Sequence, residues 1–213
     1  MAHNFPCYVV ALEGPDRMGK STQAKLLKDS LRREGISAAV VKTPYDDSDE
    51  GDEGGQTHEK LYEMLRTGDA VRYPKTFQSL MGTNRRWFQS HVLPELAAQH
   101  DVVVLDRWNL STLIYGTEAG VPTDITFSIL KGLIDPDLTI VFDGQPFVAS
   151  DQDDAYEADK EFQERIRSRY VAWAKECSMK LNTTVVVVNA NSLEHTIQKK
   201  IVRAIQLKMS RLR

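Results

Sequence analysis

The apolar positions of the chain follow two rhythms. Five short, nearly unbroken runs are rich in β-branched residues: Tyr8–Leu12 (YVVAL), Ala38–Thr43 (AAVVKT), Asp101–Asp106 (DVVVLD), Leu138–Asp143 (LTIVFD) and Thr184–Val188 (TVVVV). Runs of this length without polar alternation predict strands buried on both faces. Between them apolar residues recur every three or four positions. Ala24, Leu27 and Leu31 predict a helix opening at Lys20 and capped by Gly35. Further helices are expected at 57–66, at 74–99 with a kink near Pro94, at 111–118, at 123–134 and within 154–181, where Phe162, Ile166, Tyr170, Trp173 and Cys177 share a face. Ile197, Ile201 and Ile205 mark the last one. Alternating strands and helices imply one α/β domain over residues 1–213, a three-layer α/β/α fold with a five-stranded parallel sheet and right-handed crossovers. Residues 46–55 (DDSDEGDEGG) break the rhythm. Six acids and three glycines in ten residues predict a solvated loop, and the helix–loop–helix calcium pattern is absent.

Composition narrows the class. A hydrophobic share of 41% and a charged share of 27% are ordinary for a globular chain, and no apolar run reaches membrane length. A net charge of −3 gives no global pull toward nucleic acid, so no stable nucleic-acid binding is expected. Cys7 and Cys177 lie far apart without metal-ligand spacing. They read as reduced thiols, and with no signal-peptide pattern at the N-terminus the expected compartment is the cytoplasm.

The strongest chemical signal sits between the first strand and the first helix. Gly14-Pro15-Asp16-Arg17-Met18-Gly19-Lys20-Ser21 fits the phosphate-loop pattern G-x-x-x-x-G-K-[ST]. Its glycines let the backbone close around an anion, the helix adds its positive end, Lys20 reaches the outer phosphates and Ser21 suits a Mg²⁺ ligand. Asp106 ends an apolar strand, the position of a carboxylate in a metal shell, and Arg107 and Trp108 follow it. On the 74–99 helix Asn84 and Arg85 interrupt or border a stripe of Phe77, Leu80, Trp87 or Phe88, and His91. They are site candidates, although Arg85 and Arg86 read equally well as a solvated face.

These stretches resemble the thymidylate kinase family, whose members phosphorylate dTMP with ATP. EGPDRMGKSTQ, Asn84-Arg85, LDRWNLSTLIYG, AYEADKEFQERIRSRY and NANSLEHTI carry the resemblance across almost the whole chain. It implies a P-loop NTPase fold of the nucleoside monophosphate kinase kind, a lid at about 144–160, ATP and Mg²⁺, small-molecule nucleotide partners and a homodimer. It assigns Gly14, Asp16, Arg17, Met18, Gly19, Lys20, Ser21 and Thr22 to ATP, and Ser21 and Asp106 to Mg²⁺. Asp16, Met81, Arg85, Arg107, Ser111, Tyr115 and Tyr156 are assigned to the acceptor, and the last segment to the adenine. Arg17, Lys20 and Arg107 are the implied catalytic groups. One branch of the family carries its catalytic arginine in the phosphate loop, and residues 144–164 contain no arginine, which directs that role to Arg17. The acceptor phosphate is itself an anionic nucleophile, so no general base is expected.

The chain departs from the family pattern in three places. Tyr45, Asp46 and Asp47 follow Pro44 where an acceptor-phosphate arginine is usual, leaving Lys42, Arg66 or Arg72 as substitutes. Met81, or Gly82 if the extra arginine shifts the register, stands where a phenylalanine usually stacks on the pyrimidine, and Ala155 replaces a lid arginine. These departures keep alternatives open: a kinase for dUMP or a 5-modified dUMP, or a deoxynucleoside kinase with Glu13, Asp46 or Asp47 as base.

Overall fold

The five apolar runs become the five strands of one parallel sheet in a computed structural model that describes residues 3–46, 52–147, 159–177 and 184–210. The strands are β1 (Tyr8–Glu13), β2 (Ala38–Lys42), β3 (Val102–Asp106), β4 (Leu138–Asp143) and β5 (Thr184–Asn189), in the order β2-β3-β1-β4-β5. The chain leaves β1 toward β2 and β3 on one side and reaches β4 and β5 on the other. β1 is therefore the switch point, and a crevice opens at its carboxyl end. The register places Leu12 beside Asp106 and Asp106 beside Lys42, so three strand ends share that crevice.

Alternation along β1 sorts the core by face. Tyr8, Val10 and Leu12 pack with Leu27 and Leu31 of α1 (Lys20–Arg33) and with Ile197, Ile201 and Ile205 of α9 (Glu194–Met209). Cys7, Val9 and Ala11 face the other way, onto Phe88 of α4 (Pro74–His91), Leu93 and Ala97 of α5 (Leu93–Gln99), and Trp108. A further cluster joins α2 (Glu53–Thr67), α4, α6 (Asn109–Glu118) and α8 (Lys160–Cys177) through Leu61, Phe77, Met81, Ile114, Phe162, Ile166 and Tyr170. This cluster forms the wall facing the phosphate loop.

Several boundaries differ from the sequence reading. The acidic segment is not a loop to its end: α2 starts at Glu53, with the Asp52 carboxylate accepting from the Gly55 amide at 2.7 Å. Gly54 makes the early start possible, since a Cβ there would stand 2.6 Å from the Trp87 ring. Residues 47–51 of that segment lie outside the described residues. The short helix α3 (Asp69–Arg72) carried too little pattern to be expected. The 74–99 helix divides at Val92, with Pro94 in the first turn of α5, where its missing N–H costs nothing. α7 (Thr123–Leu130) ends before Gly132, which takes a left-handed φ of 88°.

Candidate active site

The phosphate loop follows from two glycines. Gly14 holds φ at 143°, and a Cβ there would stand 2.7 Å from the Phe142 carbonyl oxygen. Gly19, at φ 72°, caps α1 without any side-chain hydrogen bond, and no acid occupies the first turn. The first amides of α1 and its positive end are thus left for an external anion. Lys20 is buried beneath the loop and donates to the Pro15 carbonyl. Burial, with Arg107 adding to it, pushes its pKa down to about 8 against the pull of Asp16, Asp106 and Glu13. Ser21 and Thr22 are exposed at the mouth. Met18 contributes backbone only, because its side chain is buried in the core against the sheet.

Ser21 Oγ donates to Asp106 Oδ2 at 2.6 Å. A hydroxyl and a carboxylate in contact at the strand ends are hard oxygen donors, and Mg²⁺ typically takes one or two such protein groups and fills its octahedron with phosphate and water. The pair therefore fits Mg²⁺ as read from sequence. Among the described residues no cluster of three His, Cys, Asp or Glu side chains forms a metal cage.

From the turn after β3, Arg107 faces Asp16 of the loop. Arg107 donates to the Asp16 carboxylate, to the Gly14 carbonyl at 3.0 Å and to Ser111 Oγ at 3.2 Å, and its guanidinium lies 5.2 Å from the Tyr115 ring. Asp16 also accepts from Tyr115 Oη at 2.7 Å and from Gln163 Nε2 at 3.1 Å. Burial would raise the Asp16 pKa, but Arg107, Lys20 and these donors hold it below the usual carboxylate value. Among the described residues, the non-glycine residues with positive φ are Arg17 (58°) and Arg107 (71°). Such backbone costs about 1–3 kcal/mol per residue and concentrates at functional sites.

Arg85 overturns the solvated-face reading. It is fully buried, donates to Thr43 Oγ1 at 3.3 Å and to Thr112 Oγ1, and lies 6.0 Å from the Trp108 ring. Its Nη2 has no hydrogen-bond partner among the described residues, and burial lowers its pKa to about 10. Met81, one turn earlier on α4, is buried beside it. Asn84 does structural work: its amide bonds both backbone groups of Tyr45, at 2.7 and 3.1 Å, and the Gly54 carbonyl at 3.2 Å.

The remaining expected residues separate. Ser111 is buried and donates to Glu13 Oε2 at 2.5 Å, so it supports Arg107 and Glu13 from within. Tyr156 lies outside the described residues, as do positions 148–158 of the expected lid. Of the substitutes for the missing arginine, Lys42 ends β2 next to Asp106 and donates to Tyr62 Oη at 3.1 Å. Arg72 stacks on Tyr73, and Arg66 is exposed in the last turn of α2. Glu13 is not available as a base: its carboxylate accepts from the Trp108 and Ser111 amides, Ser111 Oγ and Tyr170 Oη. Gln163 was missed by sequence reasoning. It grips Asp16 at both its amide and its carboxylate from 147 positions away, and no local pattern marks it. Asn189 and Asn191, in the segment assigned to adenine, line a cavity of about 450 Å³ with Asp143, Gln145 and Arg167.

Comparisons with known proteins point to one family. A family model described as Thymidylate kinase matches residues 12–201. The thymidylate kinase of Jannaschia sp. (strain CCS1) is 29% identical over 91% of this chain and 95% of its own length. That of Leifsonia xyli subsp. xyli is 31% identical over 81% of this chain and 84% of its own. A solved thymidylate kinase from Candida albicans shares the fold with a TM-score of 0.75 at 19% identity, covering 95% of this chain and 92% of that one.

Proposed function

The chain belongs to the thymidylate kinase family, and on that premise we propose that it transfers the γ-phosphoryl group of ATP to dTMP, giving dTDP and ADP. The observation that carries the reading is the meeting of an uncapped phosphate loop with Arg107, which reaches the loop's own Asp16 from the end of β3. The donor phosphates take the amides around Gly19 and the Lys20 ammonium. Arg107 exchanges part of its contact with Asp16 for the acceptor phosphate, which its planar fork matches. Asp16 then accepts from the sugar 3′-hydroxyl, and Tyr115 lines the sugar. Arg85 turns its Nη2, which has no partner among the described residues, to the pyrimidine edge, with Met81 packing on the ring.

Arg17, within the loop at a left-handed φ, neutralises charge that develops on the transferred group, the part an arginine finger plays elsewhere. Ser21 and Asp106 would hold Mg²⁺, which would supply neutralisation of phosphate charge when bound. The donor base lies toward Asn189 and Asn191. The whole chain acts as one unit, with a lid at about 144–160 that excludes water on closing. It works as a cytoplasmic homodimer, and the exposed Val71, Tyr73 and Phe127 offer apolar surface for the contact.

A coupled ATP-consumption assay over dTMP, dUMP, 5-hydroxymethyl-dUMP, dCMP and thymidine tests this. The expected result is kcat/KM for dTMP at least about tenfold above dUMP, the discrimination one methyl group supports. Turnover of thymidine in preference to dTMP would remove the acceptor-phosphate role of Arg107. The nucleoside-kinase alternative is not favoured, since Glu13 is fully engaged and the matched relatives are thymidylate kinases.

A further inference from the structure

We propose that Glu13 is a positioning residue that sets Arg107 for the acceptor phosphate, by holding the turn between β3 and α6 from the base of the phosphate loop. The inference rests on the reading of Arg107 as the acceptor-phosphate group. Arg107 sits at φ 71°, a conformation a non-glycine residue keeps only when its surroundings impose it. The constraints can be named. The Arg107 amide donates to the Leu12 carbonyl at 2.9 Å. The Arg107 carbonyl accepts from Thr43 Oγ1 at 2.7 Å. The other end of that peptide, the Trp108 amide, donates to Glu13 Oε1 at 2.9 Å. The same carboxylate reaches the Arg107 side chain through Ser111, whose hydroxyl donates to Glu13 Oε2 at 2.5 Å while accepting from Arg107 Nη1 at 3.2 Å.

Glu13 also supplies what the N-terminus of α6 lacks. Trp108 occupies the cap position but its side chain caps none of the first amides, and no acid lies in the first turn of α6. The Glu13 carboxylate accepts the Trp108 and Ser111 amides instead, doing from β1 what a local Asp or Ser does in an ordinary cap. It is fully buried, so its bonds do not compete with water. Tyr170 Oη of α8 completes the set at 3.1 Å. Every partner is a donor, so an acceptor-only side chain of this length satisfies them all.

Glu13→Gln keeps the shape but turns one oxygen into a donor facing donors. Steady-state kinetics with dTMP and ATP varied separately, together with a thermal melt, read the result. The acceptor KM is expected to rise about tenfold, with the ATP KM within about twofold of wild type. Arg107→Ala alone should lower kcat/KM for dTMP about a hundredfold, and adding Glu13→Gln to it should cost no further activity, since Glu13 acts through Arg107. Ser111→Ala provides an independent arm if Glu13→Gln does not fold. It cuts the side-chain relay but keeps the amide bonds, and should raise the acceptor KM about threefold, again without adding to Arg107→Ala. If Arg107→Ala leaves dTMP kinetics intact, the reading of Arg107 is wrong. If Arg107→Ala has its effect but neither other variant moves the acceptor KM, or their losses add to it in full, Glu13 is only structural and the proposal is overturned.

Discussion

Between Gly14 and Ser21 the groups offered to a ligand are mainly backbone amides, set by glycine conformations and by the uncapped start of α1. The wall opposite is made of side chains: Arg85 from α4, Arg107 from the turn after β3, Tyr115 from α6 and Gln163 from α8. The first half is complete within one stretch of chain. The second exists only once four segments have folded together, and it stores buried charge. Arg85 is enclosed with neutral hydroxyls for partners, while Arg107 is neutralised by Asp16 of the loop. A backbone anion site serves any phosphate, whereas a side-chain wall selects one nucleotide. The loop should thus govern rate and the wall should govern choice of acceptor.

The largest expected effect tests the loop. Arg17 sits at a left-handed φ within it, and Arg17→Ala should lower kcat by about 10³- to 10⁵-fold with the dTMP KM nearly unchanged. Single-turnover rates at saturating dTMP measure this directly. A variant that instead lost acceptor affinity would place Arg17 with the wall, and the division between the two halves would fail.

Arg85 tests the other side. Replacing it with Met removes a buried charge whose Nη2 has no partner among the described residues. Exchanging such a charge for an apolar side chain of similar volume is often neutral or stabilising by about 1–4 kcal/mol. Arg85→Met should therefore melt at the wild-type temperature or a few degrees higher, while kcat/KM for dTMP falls about a hundredfold and the ATP KM stays constant. A lower melting temperature would mean that Arg85 is retained for the fold and not for the base.

The same contrast explains what the sequence could disclose. The strand, loop and first helix were legible because every residue they need lies within one stretch, and the glycine spacing carries the geometry. The burial of Arg85 was not legible, since its partners Thr43 and Thr112 lie 42 and 27 positions away and neither residue type announces a buried arginine. Glu13 reads as part of the loop motif, and nothing local shows that it serves α6 and α8. The start of α2 was hidden by composition: acids and glycines look like open loop until Asp52 caps the helix and Gly54 admits Trp87.

A pH experiment sharpens the loop side further. Lys20 has a folded pKa of about 8, below its ordinary value of 10.5. Below pH 8 the folded protein carries the cost of a charged, buried ammonium. As pH rises from 8 to 10.5 the unfolded chain binds more protons than the folded one, so this group makes stability increase with pH over that window. Bound phosphates favour the charged form. ATP binding should thus take up a proton above pH 8 and weaken by up to about tenfold per pH unit. Calorimetry at pH 9 in two buffers of different ionisation enthalpy counts that proton. A binding enthalpy independent of buffer would show that Lys20 is already charged in the free protein.

Thr112 gives the smallest expected effect and the closest test of the wall. Its hydroxyl accepts from Arg85 Nη1 and is buried. Thr112→Val keeps the volume and strands a second guanidinium nitrogen, which should cost about 1–3 kcal/mol of stability. The dTMP KM should rise only about threefold, because the guanidinium keeps its charge and its bond to Thr43. Combining Thr112→Val with Arg85→Met should return the stability, since replacing both partners of a buried hydrogen bond by apolar groups is nearly neutral. Chemical denaturation of the two single variants and the double variant decides the point. If the double variant is as unstable as Thr112→Val alone, the hydroxyl supports something other than Arg85, and the wall is held by contacts that its charged groups do not account for.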